Sequence, residues 1–378
     1  MTRAAEVPLG DIADLQAGVG FPLDLQGRTS GDYPVAKVGD ISRVGRSGGV
    51  TISTADHFVS EGDLARLRAR LIPAGSVLFA KIGEAIRQNH RVIAGCSLLV
   101  DNNAMAAIPT ERVESRYLFH FLRTVDFYAL ASATTVPALR KSDLQRLPIP
   151  LPSLTEQRRI VAILDTADTL RSKRRAALAQ LDTLTQAIFL NMFGDHATNP
   201  KRWPVRTIGE VTECLDRLRR PVTESDRVAG SVPYYGANGQ QGWIDSAIFD
   251  EPLVLVAEDG GYFDTPERGV AYRIEGPAWV NNHAHILRAL APHVTTEFLH
   301  RALRHFNFTS FISGTTRAKL TQGQLNAVKL FIPPWELQID FGSRVASVEK
   351  LKTDSIASLA DFNALFDSLQ HRAFGGDL

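Results

Sequence analysis

The chain has 378 residues, 44% of them hydrophobic and 22% charged, the composition of a folded globular protein of two or more domains. It holds no run of about 18 apolar residues, so no membrane-spanning helix is expected, and its opening, MTRAAEVPLGDIADL, lacks an apolar core of signal-peptide length. The net charge of +1, from 42 basic and 41 acidic residues, excludes a chain that coats nucleic acid by bulk charge. Cys96 and Cys214 lie far apart outside any CxxC, which indicates neither a disulfide framework nor a cysteine zinc site, and the expected compartment is the cytoplasm.

In chain order, the first segment reads as short strands punctuated by Gly, Pro and Asp, among them GSVLFAKIG (75–83) and RVIAGCSLLV (91–100). The amphipathic stretch SRYLFHFLRTV (115–125) predicts a short helix. LPSLTEQRRIVAILD (151–165) then opens a long one. Ser153 and Glu156 spell a capping box, in which the serine caps a free amide and the glutamate reaches back. Neither Pro nor Gly follows until Gly194, and apolar residues recur at Ile160, Ile163, Ala167, Leu170, Leu178, Leu181, Leu184 and Ile188. A helix over 154–192 would run roughly 58 Å at about 1.5 Å per residue.

The series then repeats. Strand-like PLVLVAEDG (252–260) and GVAYRI (269–274) precede a helical TEFLHRALRHF (296–306) and a second long helix carrying Phe341, Val345, Val348, Leu351, Leu359, Phe362, Leu365 and Leu369. Pro334 stands where the first copy has Ser153, and proline suits a first helical turn. A shift of 181 places Tyr117-Leu118 on Phe298-Leu299, SATTVPAL (132–139) on SGTTRAKL (313–320), Gln157 on Gln338 and Phe193-Gly194 on Phe374-Gly375 without a gap. The front halves align more loosely: FAKIGE (79–84) resembles VAEDGG (256–261), VDNNA (100–104) resembles VNNHA (280–284), and DIADL (11–15) resembles TIGEV (207–211). A period this long means a duplicated domain-plus-helix unit rather than a solenoid. Two long helices with one apolar face each need a partner, and the cheapest is the other helix. An antiparallel pair would put the two domains at opposite ends. The expected fold is therefore α/β (α+β), two domains joined by two long antiparallel helices in a pseudo-two-fold dumbbell. Its segments are 1–152, 153–195, 196–333 and 334–378.

This order of segments resembles the specificity (S) subunit of a type I restriction-modification system over essentially the whole chain. PLPSLTEQRRIVAILD and its degenerate echo at 332–346 carry the resemblance, with VPYYGANGQQGWID (232–245), LVAEDG and SGTTRAKL. The resemblance implies two target-recognition domains, each reading half of a bipartite double-stranded DNA sequence. It implies a helix pair that sets the gap and docks DNA adenine methyltransferase (M) subunits, restriction/translocase (R) subunits that can join, and no catalysis or cofactor in this chain. The alternative is a specificity subunit of a related non-type-I restriction or phage-defence assembly. The second copy departs from the pattern: Leu337 replaces Glu156, and 334–378 is acidic, with four basic and seven acidic residues.

The residues themselves argue against an enzyme. AGVGF (17–21) has no acidic partner at the spacing of a cofactor loop, and TNPKRW (198–203) lacks the second proline of an adenine methyltransferase motif. No phosphate-binding G-x-x-x-x-G-K-[ST] is present. His283 and His285 alternate on NNHAHIL with no cysteine or carboxylate beside them in the sequence, so packing or DNA contact is expected there and no metal.

Base reading needs Arg, Lys, Asn or Gln on base edges, with further donors on phosphate. In the first domain the candidates are Lys37, Arg43 and Arg46 on the loop 37–48, and Lys81, Arg87, Gln88, Asn89 and Arg91 on the loop 81–91. In the second they are Tyr234, Tyr235, Asn238, Gln240 and Gln241 on a glycine-flexed stretch, with His283. Thr315, Thr316, Arg317 and Lys319 form an expected phosphate loop, with Thr134, Thr135 and Arg140 as its counterpart.

Overall fold

The computed structural model describes residues 4–132, 135–263, 265, 268–312 and 318–378. They form two compact units, Met1–Ala176 with Ala357–Leu378, and Ala177–Ile356. Each unit therefore joins a globular domain to parts of both long helices.

In the first unit a five-stranded sheet runs in the order Ala13–Ala17, Ala104–Pro109, Val77–Ala80, Arg91–Ala94, Thr51–Ile52. Val77–Ala80 is a continuous apolar run because both its faces are buried. Phe79 and Met105 pack under the helix Ser115–Thr124, while Leu78 and Ala106 face Ile41 of the helix Val38–Arg46. The segment 37–48, expected as a loop, is thus mostly this helix. A smaller sheet places Tyr33–Ala36 between Phe58–Val59 and, in parallel, Leu99–Val100.

The second unit repeats the plan. Thr212–Cys214, Ala284–Ala289, Leu253–Ala257 and Ala271–Ile274 form one sheet; Gly239–Ile244, Val232–Gly236, Pro277–Val280 and Phe249–Asp250 form another. The equivalence extends to register. Leu78 lies opposite Ala106, and Leu255, 177 positions on, lies opposite Ile286, 180 positions on. These are the offsets of the loosely aligned front halves. They differ from 181 because the copies have loops of different length between strands that pair alike.

The two long helices are Leu154–Phe193 and Trp335–Gly375. Within the first unit the start of one lies against the end of the other: Ile160 and Leu164 share a core with Phe366 and Ala373, and the Arg171 guanidinium sits 4.1 Å over the Phe366 ring. Within the second unit Phe189 and Phe193 meet Phe341 at 5.6 and 5.3 Å, and Lys352 pairs with Asp182 at 2.9 Å. The helices are antiparallel in each. Ile160, Phe341, Val345 and Val348 are buried as their spacing predicts, but Leu170 and Leu351 are 44% and 54% exposed. Aromatic residues next to the domains, not an even leucine stripe, hold the pair. Among the described residues no helix is long and apolar enough to cross a membrane.

The helix starts differ from expectation in one detail. Ser153 Oγ accepts the Glu156 amide at 3.3 Å, but the Glu156 carboxylate pairs with Arg159 at 2.7 Å instead of reaching back. The stronger anchor is a glutamine one residue further on. Gln157, fully buried, accepts the Glu114 amide at 2.8 Å and donates to the carbonyls of Pro152 and Arg112 at 2.9 and 3.1 Å. Gln338, also fully buried, accepts the Thr295 amide at 2.9 Å and donates to Pro333 and His293 at 2.9 and 3.1 Å. Each amide thereby ties a long helix to the turn that starts the short helix of its own domain.

Replacing Gln157 or Gln338 by Leu keeps the volume and removes the side-chain partner of three backbone groups. An unsatisfied buried group costs about 1–3 kcal/mol. Chemical denaturation followed by circular dichroism is expected to show a loss of at least about 2 kcal/mol for either variant.

Candidate nucleic-acid interface

The chain brings its loops together by the same device in both copies. In the first unit Ile82 bridges Ala138, Gly83 N–H donates to Pro137 at 2.8 Å and Leu139 N–H donates to Lys81 at 2.9 Å. In the second, Asp259 bridges Lys319 and Leu320 N–H donates to Glu258 at 2.8 Å. The loops after two central strands, Val77–Ala80 and Leu253–Ala257, are thus each stitched to the segment that precedes the long helix.

The second unit gathers most of its candidates along this seam. Asn238 is exposed at the tip of the hairpin joining Val232–Gly236 to Gly239–Ile244, and its amide donates to Gly260 at 2.9 Å. Gly239 at the same tip has φ +111, a conformation that favours glycine. Gln240 is exposed and donates to Gly242 at 3.1 Å. Gln241 accepts Asn281 Nδ2 at 3.1 Å, and His283, 40% exposed, lies 2.6 Å from Asp259. Lys319 pairs with Glu258 at 3.0 Å. Asn238, Gln240, Gln241, His283 and Lys319 thus form one polar edge, each held by a neighbouring backbone carbonyl, amide or carboxylate. Tyr234 does not join it. Its ring is 1% exposed and its hydroxyl bonds both the N–H and the carbonyl of Val222 at 3.0 and 3.1 Å, so it is a core residue. Tyr235 is half-buried, 6.0 Å from Tyr272.

In the first unit the candidates separate into surface and interior. Arg46 and Gln88 are exposed, as are Thr135 and Arg140. Arg43 is exposed but pairs with Asp40 and, at 2.8 Å, with Asp56. Arg87 pairs with Glu84 and stacks 3.8 Å over Tyr128. Lys37 is half-buried, its ammonium 2.9 Å from Gln26, and Lys81 is half-buried too. Asn89 and Arg91 point inward. Arg91 is 4% exposed, lies 3.6 Å over the Phe127 ring and donates to Asn89 Oδ1 at 2.7 Å, while Asn89 Nδ2 donates to Val125 at 3.0 Å. Burial, and then the charge of Arg123, lowers the Arg91 pKa to about 9. Both residues brace the loop they were expected to expose. Thr134, Thr315, Thr316 and Arg317 lie outside the described residues.

Strand pairing also assembles a cluster that sequence distance hid. His285 was expected without a cysteine or carboxylate nearby, yet Cys214 and Asp216 of a neighbouring strand and turn lie beside it, their ligand atoms and its own within 4.8 Å of one another. His285 Nδ1–H donates to Asp216 at 2.6 Å and Nε2–H to the Leu320 carbonyl at 2.7 Å. Burial alone would lower its pKa, but the Asp216 carboxylate and Cys214 raise it to about 9. The ring is therefore an imidazolium with both N–H groups bonded, and in that form it has no lone pair for a metal. Arg219 pairs with Asp216 at 3.4 Å and with Glu258, closing the network under the polar edge. Arg219 and Asn281 are its members that the sequence gave no signal for.

The His285 pKa is raised above its ordinary 6.5, so the stabilisation it supplies is complete below about pH 6.5 and is lost as pH rises through about 9. The stability of the second unit should fall by on the order of 3 kcal/mol over that window. The His285→Gln variant is expected to lack this dependence in denaturant titrations at pH 6.5 and 9.5.

Comparison with known proteins adds an independent observation. A family model described as the type I restriction modification DNA specificity domain matches residues 3–180 and 200–359. A type I restriction enzyme specificity subunit of Haemophilus influenzae is 33% identical over 135 residues, 36% of this chain and 34% of the relative. The MjaIX specificity subunit of Methanocaldococcus jannaschii is 22% identical over 59% of this chain and 55% of the relative. The chain thus spans about a third and about half of the lengths of these two relatives. The EcoprrI specificity subunit of Escherichia coli is 22% identical over 88% of this chain and 83% of its own. The fold is similar to the crystal structure of the type I restriction-modification system S subunit from M. genitalium, with a TM-score of 0.60 and 15% identity over 98% of this chain and 95% of the other. A chain from a structural study of assembly and conformational transition in the type I R-M system gives 0.63 and 19% identity over 100% and 99%.

Proposed function

The chain belongs to the type I restriction-modification DNA specificity family, and from that premise we propose that it is the DNA-reading subunit of such a system. Each globular domain reads one half of a bipartite double-stranded target. The observation that carries this reading is the polar edge of the second unit, where Asn238, Gln240 and Gln241 are exposed on a hairpin fixed by the bonds to Gly260 and Asn281. Amide side chains suit bidentate contact with a base edge and carry no charge, which fits a chain of net charge +1. Arg46, Gln88 and Arg140 are the accessible equivalents in the first unit.

Methylation and cleavage belong in this reading to partners, the adenine methyltransferase (M) subunits and the restriction/translocase (R) subunits. The long helices offer a docking surface for the M subunits: Leu170 and Leu365 in the first unit and Leu351 and Ile356 in the second are 44–60% exposed on continuous helix. The same helices set the gap between half-sites. Inserting seven residues, about two turns, into both helices is expected to change the gap and leave both half-sites intact; altered half-sites with an unchanged gap would exclude the ruler.

Modified-base sequencing of DNA from cells that co-express the chain with an M subunit tests the reading. A bipartite methylated-adenine motif that depends on the chain is expected, and its absence with both proteins soluble and associated refutes the proposal. In the same assay Asn238→Ala is expected to relax one half-site only, at a cost of about 1–3 kcal/mol in discrimination. Unchanged methylation of every related sequence would remove Asn238 from the readers.

A further inference from the structure

A cleft of about 460 Å³ lies in the first unit between the end of the helix Val38–Arg46, the strand start at Arg91, the helix Ser115–Thr124 and the first long helix. That volume is within the range of ligand pockets. Its lining carries five arginines, Arg46, Arg91, Arg123, Arg171 and Arg175, and a single carboxylate, Asp168. Arg123 takes Asp168 at 2.8 Å, and Arg171 lies 3.9 Å from it. Arg91 is buried, with its Nε unbonded and its other nitrogens held by backbone and Asn89. Arg46 and Arg175 are exposed, and neither has an ion-pair partner among the described residues.

The charges act on one another. Burial lowers the pKa of His90 in the same cleft, and Arg46, Arg91 and Arg123 lower it further. Asp126 and Asp367, outside the lining, partly offset Arg91 and Arg171. Holding this many guanidiniums around one cavity costs folding energy that an ordinary core would avoid.

The repeat supplies a control. The second unit has the equivalent cleft, about 910 Å³, with Arg304, Glu349 and Lys352 at the positions of Arg123, Asp168 and Arg171. There the charge is balanced: Lys352 meets Asp182 at 2.9 Å and Glu349 at 3.4 Å, and Arg273 meets Glu275 at 2.5 Å and Glu297 at 3.7 Å. The fold makes a cleft in both copies, but the first is lined by five arginines and one carboxylate, whereas the second is lined by four cations and four carboxylates. Arg46 comes from a helix specific to the first domain, and Arg175 is matched by Ile356.

We infer that the cleft of the first unit is a binding site for a phosphate-bearing anion, supplied by a DNA backbone or by a free nucleoside polyphosphate. Guanidinium forks match phosphate oxygens bidentately, and several of them converge here on one cavity. An anion held between Arg46 and Arg175 ties the helix that carries Arg43 and Arg46, capped by Lys37, to the first long helix. Occupancy would thus stiffen a candidate reading surface against its own support. The inference goes beyond the proposed DNA reading, because a free anion alone can test it.

The full chain is titrated with inorganic pyrophosphate at fixed ionic strength and followed by calorimetry and thermal unfolding. Saturable binding with a rise in unfolding temperature is expected. Arg175→Gln, an exposed change that leaves the core intact, should weaken it about tenfold; Arg304→Gln, in the balanced cleft, should not. A second arm measures binding of a random-sequence duplex against salt. If the backbone is the source, Arg175→Gln lowers the salt slope by about one and pyrophosphate competes with the duplex. If a nucleotide is the source, ATP binds more tightly than pyrophosphate and the slope is unchanged. Absence of saturable pyrophosphate binding together with an unchanged slope overturns the site, as does equal weakening by Arg175→Gln and Arg304→Gln. Loss of the methylation motif bears only on the DNA reading and leaves this result standing.

Discussion

Everything in each unit depends on one buried amide. Gln157 and Gln338 each make three hydrogen bonds with no exposure to water. A hydrogen bond in the interior is stronger electrostatically than one in water, and leaving it unmade is expensive. The amide therefore fixes where a long helix leaves its domain and at what angle to the short helix beside it. Side chains mounted on the domain inherit a defined position relative to that helix. The aromatic contacts that follow, Tyr117 with Phe374 at 5.3 Å and Phe193 with Phe341 at 5.3 Å, supply buried area around a geometry the amide has already set.

The polar edges work by the same economy. Their side chains are bonded to backbone and to neighbouring polar groups, so part of their conformational freedom is already spent. Charge is treated likewise. Arg43, Arg219 and Lys319 each face a carboxylate, so their charge is neutralised locally. That agrees with a chain whose basic and acidic residues nearly cancel.

The two copies differ most where the fold tolerates it. His285 and Cys214 occupy register positions held in the first copy by Met105 and Leu15. One copy fills this space with apolar side chains and the other with an ion-paired imidazolium, so the sheet itself requires neither. The clefts beside the long helices diverge in the same way, one balanced and one cationic. Strand order, register and the glutamine anchor stay constant because each is fixed by backbone hydrogen bonds or by full burial.

The sequence by itself determined the duplication, the long helices, the mixed strand-and-helix domains and the family. These are written as periodicity and as one offset kept over about 80 residues, both local properties of the chain. It marked the glycine-flexed stretch that forms the hairpin, with Asn238 at its tip and Gln240 and Gln241 at the start of the following strand, because turn chemistry is local as well. Only the tertiary structure decided which polar residues face outward. Arg91 and Asn89 carry the chemistry of DNA readers, yet a phenylalanine 36 positions away from Arg91 covers it. Tyr234 turns inward for the same kind of reason, its hydroxyl captured by Val222. The His285 cluster and the cationic cleft were equally hidden, since each gathers residues some 70 to 130 positions apart. Burial and electrostatic environment depend on what lies opposite in space, and nothing in the local pattern of a chain records that.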